Sequence, residues 1–102
     1  MKLLIVTVVE EFQDDILQLF KDSKIKNFSK STIEGFKHEA SSILMIDNWF
    51  PSEKGGSKSS LFFSFTEENK IKGLFKLIKI FNNNIETKNP IRAVVVPIEE
   101  YI

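Results

Sequence analysis

The sequence predicts a single α+β domain in which two helices cover one face of a four-stranded antiparallel sheet. Three observations predict it. The chain has 102 residues, enough for one core but not for two domains. Four short runs rich in β-branched or aromatic residues are interleaved with two longer runs whose apolar residues recur at helical spacing. Their order is β-α-β-β-α-β, the split-βαβ or ferredoxin-like plan.

Residues 3–9 form a continuous apolar run, as expected of a central strand paired on both edges. At seven residues it is far too short to span a membrane, which takes about 20. No small-residue cleavage site follows it, so it does not read as a secretory signal. Asp14 and Asp15 then sit where a helix N-terminus favours negative charge. Ile16, Leu19 and Phe20 follow at i, i+3, i+4 spacing, with Leu17 widening the stripe. That helix is expected to end near residues 22–24.

Residues 28–36 alternate weakly and read as a half-exposed strand, with Gly35 marking a bulge or a close backbone approach. Residues 61–65 have strong β-propensity and place Leu61, Phe63 and Phe65 on one face. Thr66 is the expected cap of the second helix, with Glu67 and Glu68 in its first turn. Its stripe is Ile71, Leu74, Phe75, Ile78 and Phe81, with Lys70, Lys72, Lys76 and Lys79 pointing largely away. Asn82, Asn83 and Asn84 stop it, and residues 91–96 form the last strand, limited by Pro97. The sheet face without helices is expected to carry apolar residues such as Phe62, and such a face favours oligomerisation.

The connection over residues 37–60 is the informative departure, since hairpin loops usually take about 2–5 residues. It carries an apolar patch centred on Trp49 and Phe50, then a polar stretch, Glu53 to Lys58, read as flexible. Two readings stay open for the patch: a recognition arm that docks a protein partner, or an ornamented hairpin buried against a neighbouring subunit.

Charge and composition exclude several functions. The 14 basic and 14 acidic residues cancel, so no net field recruits nucleic acid or an anionic membrane. With no Cys there is no disulfide or thiolate metal site, which fits a reducing, cytoplasmic setting. His38 is the single histidine, so a metal site would need His38 with Glu39 and Asp47, or three symmetry copies of it. The paired carboxylates are sequence neighbours whose side chains diverge, and no nucleophile and base are legible, so no enzyme is expected. The stretch Lys54-Gly55-Gly56-Ser57-Lys58 lacks phosphate-loop spacing and precedes a strand.

Several segments together resemble the nitrogen-regulatory PII signal transducers. The opening Met1-Lys2-Leu3, the helix start at Asp14-Asp15 and the stretch Ser29-Lys30-Ser31-Thr32-Ile33-Glu34-Gly35-Phe36 are similar to family segments written "MKLV" and "MTVTEVKGFG". The ending Ala93-Val94-Val95-Val96-Pro97-Ile98-Glu99-Glu100 resembles the family's last strand, "IFVFPVEEAIRI", and Lys58 falls where the family has a lysine. The resemblance runs nearly without gaps over the whole chain.

It implies a homotrimer with the sheets facing inward, adenine nucleotides in clefts between subunits, and a long loop that controls a transporter, enzyme or regulator. On that resemblance Ser29, Gly35, Phe36, Lys37, Lys58 and Lys88 would line the intersubunit cleft. The family's phosphate-gripping "TGKIGDGK" is replaced here by residues 83–90, with its glycines gone and Pro90 read in place of the lysine. Exposed backbone N–H groups cradle phosphate oxygens, and proline offers none. The family's C-terminal arginines and loop tyrosine are also absent. The expectation is therefore a PII-like trimeric adaptor that acts by protein contact through its loop, with altered or lost adenine-nucleotide sensing. The alternative is a metal-binding trimer of the CutA type, which shares the fold plan but would here rest on His38 alone.

Overall fold

The computed structural model describes residues 1–36 and 57–102. Its elements are β1 (Lys2–Val9), a 3-10 turn (Glu10–Phe12), α1 (Gln13–Asp22), β2 (Ser29–Gly35), β3 (Ser57–Thr66), α2 (Glu68–Asn83) and β4 (Arg92–Pro97). The strands form one antiparallel sheet in the order β2-β3-β1-β4, with both helices on one face. The β-α-β-β-α-β expectation therefore holds.

The helix-facing side of the sheet is set by β1. Leu4, Val6 and Val8 are buried, and their β3 partners Ser64, Phe62 and Ser60 must lie on the same side. Ile16 and Phe20 of α1, with Ile71, Leu74 and Ile78 of α2, close over them. Each such fully buried large side chain contributes about 1.5–3 kcal/mol over its exposed state. Phe20 and Phe62 meet edge-to-face with ring centroids 5.4 Å apart, and Phe28 packs on both.

Three details differ from the sequence expectations. Phe62 belongs to the core, not to the open face, because its pairing with Val6 turns it toward the helices. The second helix starts at Glu68, with Glu67 at the N-cap, because Thr66 is still paired to Lys2 in the sheet. Strand β3 begins at Ser57, so residues 57–60, including Lys58, belong to a strand rather than to the loop. Serines are tolerated there because buried hydroxyls find partners. Ser60 Oγ donates to Gln13 Oε1 at 2.7 Å, and Ser64 Oγ donates to the Asn27 carbonyl at 2.6 Å.

The entry to β4 is pinned by the end of α2. Asn82 Nδ2 donates to the Ile91 carbonyl at 2.9 Å, and the Ile91 N–H donates to Asn82 Oδ1 at 3.0 Å. This side-chain clamp does the work of one more rung of pairing. It fixes where the strand starts and which way its side chains alternate.

Candidate functional site

Two features of the sheet bear on function: its open face and the end at which β2 stops and β4 begins. Alternation along the strands places Leu3, Ile5, Leu61, Phe63, Phe65, Val94 and Val96 on the face without helices. Phe65 is 56% exposed and Phe63 37%, and their rings meet edge-to-face at 6.2 Å. Val94 and Val96 are also exposed. This contiguous apolar face is what an assembling subunit presents.

Among the described strand residues on that face, one is charged: Arg92, opposite Thr7 at the start of β4. Its Nε is buried with no hydrogen-bond partner among the described residues, and Asn89 Oδ1, three residues earlier, is in the same condition. Buried polar atoms normally have partners, so the Arg92 guanidinium is a group for which a hydrogen-bond acceptor is expected. The backbone N–H of Asn89 donates to Thr87 Oγ1 at 3.0 Å, which shapes the turn leading to Arg92.

Arg92 was missed in the sequence, although a signal for it was there. In the resembling segments a lysine directly precedes the last strand's apolar run. Strand β4 runs from Arg92 to Pro97, so the residue directly before this chain's apolar run is Arg92. Arg92 sets a guanidinium at that point, and its fork geometry suits phosphate or carboxylate. The glycines of the turn remain absent.

The residues expected to line a cleft are divided by the sheet. Gly35 ends β2, buried and opposite Ser57; Phe36 follows it, 54% exposed; Lys58 is exposed on β3, opposite Glu34. All three lie at the end of the sheet where β4 begins. Lys88 is exposed in the α2–β4 connection on the far edge. Strands β2 and β4 are separated by two others, so the two groups are roughly 14 Å apart across the sheet. Ser29 pairs with Phe63, six residues along β3 from Ser57, or roughly 20 Å from that end. It does not join the group. Lys37, His38, Trp49 and Phe50 lie outside the described residues.

A polar recess near Lys58 is lined by Lys30, Thr32, Ser59, Ser60, Gln13 and Glu10, on the helix side of β2 and β3. Among the described residues no group of three or more His, Asp or Glu side chains is placed to hold a metal ion. No helix among them is long and apolar enough to cross a membrane.

No family model and no curated sequence matches the chain. Solved structures do. A DUF3240 family protein from Shewanella baltica superposes with a TM-score of 0.66 at 19% identity, covering 98% of this chain and 91% of that one. CPII, a nitrogen regulatory PII-like protein from Thiomonas intermedia bound to ADP, AMP and bicarbonate, superposes with a TM-score of 0.61 at 10% identity, covering 99% and 94%. Identities this low speak for the fold alone, and on that ground the chain has the fold of the PII-like proteins.

Proposed function

We propose that the protein is a PII-like regulatory subunit, not an enzyme, that assembles as a homotrimer through its open sheet faces. It works in the cytoplasm by contact with a protein partner such as a transporter or a regulator. The observation that carries the reading is the Arg92 Nε, buried without a partner among the described residues, at the rim of a face whose other described strand residues are uncharged. Burying that face against other copies leaves a guanidinium at the subunit boundary. A boundary that joins the β4 edge of one copy to the β2 edge of the next brings Arg92 and Lys88 toward Gly35, Phe36 and Lys58, which one chain alone holds apart.

The ligand class that fits is an adenine nucleotide with few phosphates, or a small oxyanion. The cations at this end of the sheet suit an anion, while the glycine backbone that wraps a triphosphate is absent. The likeness to a protein described as bound to ADP, AMP and bicarbonate supports the same class. Sensing is thus altered rather than of the ATP type, and the segment 37–56 with Trp49 and Phe50 carries the partner contact.

Calorimetric titration with ATP, ADP, AMP and bicarbonate tests the site. The expected result is binding of ADP or AMP in preference to ATP, weakened at least about tenfold by Arg92→Ala, since a charge-assisted hydrogen bond contributes about 1.5–3 kcal/mol. No heat with any of the four contradicts nucleotide or anion sensing. Metal binding lost on His38→Ala would favour the CutA-type reading.

A further inference from the structure

A second surface lies on the opposite side of the molecule, between α2 and β4. Its groove encloses about 410 Å³. Ile71, Phe75, Val95 and Pro97 form the apolar floor, and Lys2, Lys72, Lys76 and Lys79 line its edges. Glu68 is the single acidic residue there, and it pairs with Lys72 at 3.9 Å. An apolar floor with a cationic rim selects an acidic segment flanked by large apolar side chains.

The chain carries such a segment directly after β4: Ile98-Glu99-Glu100-Tyr101-Ile102. Glu99 and Glu100 are exposed, Tyr101 is 83% exposed, and neither Tyr101 nor Ile102 is covered by the other described residues. We infer that this segment of one copy docks in the α2–β4 groove of a second copy. Ile98 and Tyr101 rest on the Phe75–Val95 floor, and Glu99 and Glu100 meet Lys76 and Lys79.

A segment folding back into its own groove is disfavoured by direction. Strand β4 runs toward Pro97, opposite Lys2, at the end of the groove where α2 begins. A chain leaving there must reverse to re-enter. A β-turn takes four residues, which places Glu99 and Glu100 inside the turn. Lys76 and Lys79 lie roughly 12–16 Å further along the helix, at 1.5 Å per residue from Glu68. A second copy's segment reaches them without reversing. This contact uses neither the open sheet face nor Arg92, so it stands or falls apart from the assembly proposed above.

The absence of native cysteine makes the test direct. Full-length chains carrying Lys76→Cys and Tyr101→Cys, with different tags, are co-expressed and mildly oxidised. The expected product is a mixed disulfide between the two chains in clear excess over the two-to-one ratio to either like pair that random pairing gives. Adding Glu99→Lys and Glu100→Lys to the Tyr101→Cys chain should cut it about five-fold, as loss of about 1 kcal/mol of pairing would. The inference is overturned if the mixed product does not exceed that random ratio, which leaves the groove to another molecule. A double-cysteine chain that closes on itself at high dilution overturns it in favour of self-docking. Insensitivity to the charge reversals overturns it as well.

Discussion

Lys24 has φ 62, the left-handed region that favours glycine, and it closes α1. The Ile25 N–H donates to the Phe20 carbonyl at 2.9 Å, and the Lys24 N–H to that of Lys21 at 3.1 Å. This is a Schellman closure, with Ile25 buried as its hydrophobic contact. A lysine there bears a steric cost that glycine would not, so Lys24→Gly should stabilise the protein by about 1 kcal/mol. Urea unfolding checks it, and a lower midpoint would contradict the geometry. Asn82 works in the opposite sense. Asn82→Ala leaves both polar groups of Ile91 unmatched and should cost about 2 kcal/mol. It should also loosen β4, seen as faster amide exchange at Ala93 and Val95, whose neighbours in β1 pair with them. Arg92→Ala, by contrast, should leave the isolated chain's stability nearly unchanged, because its Nε has no partner to lose among the described residues.

At the scale of the element, two adjacent phenylalanines separate the buried core from the open sheet face. Phe62 is 1% exposed between Phe20 and Phe28, and Phe62→Ala should cost about 3–5 kcal/mol in thermal or chemical unfolding. Phe63 faces the other way, and Phe63→Lys should leave the secondary structure intact by circular dichroism while lowering the particle mass in light scattering. If Phe63→Lys kept the wild-type mass, the open face would not be the assembly surface. The order of elements and both helix stripes were legible because apolar periodicity survives in a single sequence. Which face Phe62 takes was not, because a run such as Leu61-Phe62-Phe63-Ser64-Phe65 is apolar on both sides. Only the pairing to Val6 decides it. Residues 57–60 read as a loop because serine has weak β-propensity. Their strand conformation depends on partners far away in sequence, namely Gln13 and the flanking strands.

For the whole molecule, the same division applies to the site. Gly35, Phe36, Lys58 and Lys88 were legible as candidates, but their placement on two opposite edges was not, since strand order is a property of the fold. Arg92 was hidden because matching the turn residue by residue pointed at Pro90, and only the observed start of β4 draws attention to it. The central claim is that these edges meet between copies, with the apolar face buried among three chains. The most direct measurement is the particle mass of the full-length protein by sedimentation equilibrium across a range of concentrations. The account predicts a stable species at three times the 11.8 kDa chain. A monomer that persists at the highest concentration, with its open face in water, would contradict it.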